Sequence, residues 1–137
     1  MTWQTHDSAH VAAPLKTISN AAPELQTQIE HVIDLPILCL RSQNPAHGST
    51  LSIAYTPTER ILELFALDAY IKAYIGHTVV RDMEFFVQTI AAECARVLEV
   101  PVECVGRIRY NGLSMGQYSG VCGFVSVSMR NTHRKNK

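Results

Sequence analysis

Apolar residues change their spacing several times along the chain, and each change marks an element. Between Ser49 and Tyr55 the residues Leu51, Ile53 and Tyr55 alternate with small or polar neighbours, which predicts a half-buried strand. Upstream, Leu25 to Leu40 is rich in β-branched residues (Ile29, Val32, Ile33, Ile37) and reads as a strand broken near Pro36. Gln43 to Gly48 and Thr56 to Arg60 have turn composition. From Leu62 to Ile75 the period becomes helical, with Leu67, Tyr70, Ile71 and Tyr74 on one side, until Gly76-His77-Thr78 interrupts it. Asp82 to Leu98 carries the strongest helical pattern. Met83, Phe86, Val87, Ile90, Cys94, Val97 and Leu98 form its stripe, and Asp82 and Glu84 supply negative charge to the first turn, where the helix dipole favours it. Pro101 stops that helix. Val102 to Tyr110 and Gly123 to Met129 predict two closing strands, the latter with Val125 and Val127 alternating against Ser126 and Ser128.

The order strand, strand, helix, helix, strand, strand is an α+β pattern, ββααββ. It predicts an antiparallel four-stranded sheet with two helices on one face. The other face and both sheet edges are then left open, which predicts a homo-oligomer. With 137 residues the chain has room for one core. It divides into an irregular N-terminal arm over 1–23, a single domain over 24–129 and a basic tail over 130–137. Twelve basic residues balance 12 acidic ones, so no global field draws the protein to nucleic acid or to a membrane surface. The tail from Arg130 to Lys137 reads as a frayed, solubilising end, with a phosphate-contacting arm as the alternative. No apolar run reaches transmembrane length and the N-terminus has no signal-peptide pattern, so a cytoplasmic location is expected.

Four cysteines, Cys39, Cys94, Cys104 and Cys122, show no CxxC pair, which argues against a disulfide framework or structural zinc site. Cys94 falls on a helix stripe, Cys104 in a Val-rich strand and Cys122 at a Gly-bounded strand start, and all three read as packing residues. Cys39 is different. It leaves a strand into Cys39-Leu-Arg-Ser-Gln-Asn-Pro45, a turn that also brings Ser42 and, further on, His47 close in sequence. A thiolate is the reactive form of cysteine, and a nearby imidazolium or helix N-terminus makes it available near neutral pH. Glu84 can accept two hydrogen bonds from a guanidine-like edge, and a site built so rejects bases lacking those donors. Each residue also has a plain structural role: Cys39 as a small core hydrophobe, Glu84 as a dipole-stabilised carboxylate, His47 as a loop residue and His77 as a helix-capping residue.

A cysteine before the second strand and a glutamate opening the second helix, in this element order, resemble the tunnelling-fold (T-fold) superfamily. Within it the chain is similar to the QueF family, the NADPH-dependent 7-cyano-7-deazaguanine reductases, from about Leu35 to Met115. The family pattern of a cysteine followed by Pro-x-Thr-Gly-x-Pro-Asp reads here as Cys39-Leu-Arg-Ser-Gln-Asn-Pro-Ala46. The following Ser-x-x-Tyr-x-Pro element is kept as Ser52-Ile-Ala-Tyr-Thr-Pro57, and Arg109-Tyr-Asn-Gly-Leu113 is similar to the family's Arg-Gly-Gly turn. The resemblance implies a ring-like oligomer with interfacial sites, Cys39 as nucleophile, Glu84 as the anchor of a purine-like base, and Ser42 and Glu63 as further substrate contacts.

The departures shape the expected reaction. The family's aspartate falls at Ala46, leaving His47 as the candidate acid–base group. Its nucleotide motif, Glu-Ser-Lys-Ser-x-Lys, reads here as Glu63-Leu-Phe-Ala-Leu-Asp68, without either lysine, so no NADPH or other cofactor is expected. The expected reaction is therefore non-reductive addition to the nitrile of 7-cyano-7-deazaguanine, as in the QueF-like amidinotransferases. Decarboxylation of the 7-carboxy compound, NADPH-dependent nitrile reduction, and a non-catalytic purine- or pterin-binding protein are the alternatives. Zinc-dependent relatives carry Cys-Glu-His-His where this chain has Cys39-Leu-Arg-Ser42, so no metal is expected.

Overall fold

A computed structural model describes residues 13–78 and 82–124. The element order is β1 (Thr17–Ser19), β2 (Ile29–Asp34), β3 (Thr50–Tyr55), β4 (Arg60–Leu62), α1 (Leu64–Lys72), α2 (Met83–Leu98), β5 (Val102–Arg109) and β6 (Gly116–Gly123). Strands β2, β3, β5 and β6 form a four-stranded antiparallel sheet in that spatial order, with α1 and α2 inserted between β3 and β5. The α+β class and the ββααββ order of the main sheet are as the pattern predicts. Among the described residues no helix is long and apolar enough to cross a membrane.

Alternation on β3 and β5 builds the core. Leu51 and Ile53 face inward from β3, and Val102, Cys104 and Ile108 from β5; all are buried. Helix α2 packs over β5 and β6, burying Phe86, Val87, Ile90, Cys94 and Leu98, and α1 adds Leu67, Tyr70 and Ile71 to the same core. Glycine allows α2 its close approach. A Cβ at Gly106 would lie 2.8 Å from Val87 Cγ2, and one at Gly123 would run into the Ala91 carbonyl oxygen. The Asp82 side chain caps α2 by accepting the Phe85 N–H at 3.1 Å, and Glu99 ends the helix in the left-handed conformation at φ 60°.

Several predicted boundaries change, and the strand expected over Leu25 to Leu40 is confined to Ile29–Asp34. The closing strand is Gly116–Gly123 rather than Gly123–Met129. Its glycines and small polar residues give no apolar alternation, yet it pairs residue for residue with β5 from Val102↔Gly123 to Arg109↔Gly116, so the partner strand defines it. The Val125–Ser128 alternation, the basic tail and residues 1–12 of the expected arm lie outside the described residues. Cys122 consequently sits near the end of β6, exposed on the sheet's outer face, and not in a packed strand start. Part of the expected arm is itself a strand. β1 pairs with β4, forming a second small sheet in which Thr17 faces Leu62, and each of these strands is too short to show periodicity. Helix α1 begins after β4, at Leu64, because the Glu63 carboxylate caps it there.

One buried contact joins the two sheets. The Leu62 N–H donates to the Tyr55 hydroxyl at 2.9 Å, and that hydroxyl lies 2.9 Å from His31 Nε2. The hydroxyl thus accepts from the amide and shares a second hydrogen bond with the imidazole. Burial lowers the His31 pKa, consistent with a neutral ring.

Candidate active site

The cysteine-bearing loop is fixed from both sides. The amides of Leu38 and Cys39 both donate to the Asn44 carbonyl, at 3.0 and 2.8 Å, and the Gln43 amide returns to the Cys39 carbonyl at 2.8 Å. Gln43 adopts φ 60° to close this turn, and the Asn44–Pro45 peptide is cis. Beyond the turn, Ala46 N–H donates to the Arg109 carbonyl at 2.8 Å, and the Asn44 side-chain oxygen accepts the Asn111 amide at 2.6 Å. The Asn111 side-chain amide donates in turn to the Gln43 carbonyl. The buried Ser49 hydroxyl accepts the Arg109 N–H at 2.8 Å and reaches the Arg109 carbonyl at 3.3 Å. On the other side, Gly76 N–H donates to the Leu38 carbonyl at 2.8 Å. Thus the end of β5 and the connection after α1 hold the loop in front of the start of α2.

There they enclose a cavity of about 310 Å³, lined by Cys39, Ser42, Asn44, Asp82, Met83, Glu84 and Tyr110. The half-buried Cys39 thiol has a pKa below its ordinary value. Hydrogen bonding from the Ser42 hydroxyl and then the Ser42 amide is the main cause, with help from the Arg41 amide and guanidinium, and together these outweigh burial. The thiolate is therefore more available than in a free cysteine.

The opposite wall is acidic. Glu84 Oε2 accepts from Gln117 Nε2 at 2.7 Å, and the Tyr110 hydroxyl donates to Gln117 Oε1 at 2.7 Å. This chain fixes the Glu84 carboxylate from the inner face of β6. Hydrogen bonding with the Glu84 carboxyl, followed by the Phe85 N–H, holds the Asp82 pKa below the usual aspartate value. Burial pushes the Tyr110 hydroxyl pKa up, and the negative charges of Glu84 and Asp82 add to it. Among the described residues no lysine, arginine or histidine lines the cavity. A thiol and two carboxyl groups thus line one space, which suits a ligand rich in N–H donors.

Of the sequence-derived candidates, Cys39, Ser42 and Glu84 meet here. His47 is exposed in the turn before Gly48 and does not line the cavity. Neither does Glu63, whose Oε1 accepts the Ala66 N–H at 2.8 Å and whose Oε2 accepts the Phe65 N–H at 3.0 Å as the cap of α1. His77 packs edge-on against Tyr74, with ring centroids 5.2 Å apart. Asn44, Tyr110 and Gln117 were not legible as site residues, and Asp82 was legible only as a helix start. Their common signal is loop anchoring and strand register, which no local pattern carries.

A second cavity, about 470 Å³, opens at the far end of the sheet between Gln28, Glu30, Tyr55, Thr56 and Glu103, and holds no nucleophilic thiol. Among the described residues no group of three or more histidine, cysteine or acidic side chains could hold a metal ion. No protein-family model matches the chain, and no curated protein is similar enough to it to count as a relative.

Proposed function

We propose that this chain is an enzyme acting on the 7-substituent of a 7-deazaguanine base, with Cys39 as nucleophile and Glu84 as base anchor. One observation carries the reading: a thiol of lowered pKa and a carboxylate fixed by Gln117 line the same cavity, although the chain separates them widely. The Cys39 sulfur adds to the nitrile carbon of 7-cyano-7-deazaguanine as it gives up its proton, and forms a thioimide. Glu84 offers the acceptor capacity left beyond its bond from Gln117 to the N–H donors of the base, and Ser42 stabilises the attacking sulfur.

Non-reductive resolution by ammonia or water is favoured over hydride transfer. The segment aligned with the nucleotide motif offers the exposed Phe65 and an Asp68–Lys72 ion pair at 2.9 Å, a poor seat for a dinucleotide phosphate. Decarboxylation is less well supported, since a 7-carboxylate would bring a third negative charge beside Asp82 and Glu84. In this reading the fold is a tunnelling fold, and copies associate through the open edges β2 and β6 into a ring.

The test is the intact mass of the protein incubated with 7-cyano-7-deazaguanine in the absence of NADPH, beside Cys39→Ala. A gain of one ligand in the wild type alone supports thioimide chemistry. Binding without a mass gain points instead to a purine-binding protein that does not turn over the nitrile.

A further inference from the structure

Nitrile addition needs a group that carries a proton from sulfur to nitrogen. The resemblance places that task on an aspartate whose position here is Ala46, and His47, its neighbour in sequence, stands outside the cavity. A different carboxylate faces the space in front of Cys39. Resting on the reading above, we infer that Asp82 is the acid–base residue of this site, shuttling the proton of the Cys39 thiol to the nitrile nitrogen.

Asp82 lines the same cavity as Cys39 and Glu84, so a base seated on Glu84 lies against Asp82 as well. Hydrogen bonding with the Glu84 carboxyl, and then with the Phe85 N–H, favours its ionised form, so it rests as a carboxylate and, once protonated, gives the proton up readily to the nitrile nitrogen. The step balances without an added reagent. As sulfur bonds to the nitrile carbon, the S–H proton passes to the Asp82 carboxylate and one C–N π bond breaks. Asp82 then gives that proton to the nitrogen, leaving a neutral S–C(=NH) thioimide and the carboxylate as it began. No electrons are gained or lost overall.

Asp82 also caps α2, and that role alone would make it important for stability. The two roles separate by substitution. Asparagine and serine cap helices about as well as aspartate, but neither carries a proton between sulfur and nitrogen. The experiment compares wild type, Asp82→Asn and Asp82→Ser for melting temperature, Kd for 7-cyano-7-deazaguanine, and rate of adduct formation by intact mass. The expected result is a near-native Tm in both variants and ligand still bound, with the adduct forming about 10²–10⁴-fold more slowly. A wild-type adduct rate in either folded variant overturns the role of Asp82 and leaves the nitrile chemistry standing. If the wild-type protein itself forms no adduct, the proposed reaction fails, and the role of Asp82 falls with it.

Discussion

Removing the Ser49 hydroxyl tests how the cysteine loop is held. In Ser49→Ala the Arg109 N–H loses its 2.8 Å acceptor. The Arg109 carbonyl loses only a long 3.3 Å contact and keeps the Ala46 N–H at 2.8 Å. The cost is therefore close to that of a single orphaned backbone donor, about 1–3 kcal/mol when fully desolvated. This amide is only partly buried, which places the expected loss at about 1–2 kcal/mol. For a domain of this size that lowers Tm by roughly 3–8 °C. Thermal unfolding followed by circular dichroism measures it, and alkylation of Cys39 under native conditions reports whether the loop loosens. A Tm within about 1 °C of wild type, with unchanged alkylation, would refute the view that Ser49 locks the loop to β5.

Three other outcomes follow from the same structure. Gly106→Ala places a methyl 2.8 Å from Val87 Cγ2 beneath α2, and should cost about 1–3 kcal/mol in urea unfolding unless the helix shifts. The His31 pKa is lowered in the folded state, so its contribution to stability is complete above the unfolded value of about 6.5 and is lost as pH falls towards the folded value. Stability should therefore decline below about pH 6.5, by at most about 1.4 kcal/mol per pH unit from this group, and His31→Gln should flatten that slope in urea titrations at several pH values. Iodoacetamide should label Cys39 at lower pH than exposed Cys122. Cys104, pushed up to about 12 by burial, and Cys94, raised by burial, should react only on unfolding, while Ser42→Ala should slow labelling of Cys39 near neutral pH.

How much the sequence reveals depends on how locally each feature is determined. Helix α2 is readable almost to the residue because its apolar stripe, its Asp82 cap and the following Pro101 all lie within its own segment. Strand β3 is readable from the alternation of Leu51, Ile53 and Tyr55, and β5 from its valine-rich run after Pro101. β6 is not, because Gly116, Gly120 and Gly123 give it little intrinsic pattern and its register comes from β5. β1 and β4 are too short to signal anything alone, and they emerge only because Thr17 and Leu62 meet across the fold.

The site divides in the same way. Cys39 and Glu84 stand out by residue type and position, whereas Tyr110 and Gln117 become partners only once the β5–β6 hairpin is formed. Asn44 depends on the long-range grip of Asn111. Glu63 shows the reverse case: a carboxylate that the motif associates with substrate is engaged, in the folded chain, by two amides of α1.

The central claim is that Cys39 and Glu84 act on one bound base. Peptide mapping of the protein after reaction with 7-cyano-7-deazaguanine, carried out on wild type and Glu84→Gln, tests it most directly. Modification is expected at Cys39, slowed at least tenfold in Glu84→Gln, while iodoacetamide labels Cys39 equally in both proteins. Modification at Cys122, or an unchanged rate in Glu84→Gln, would contradict it.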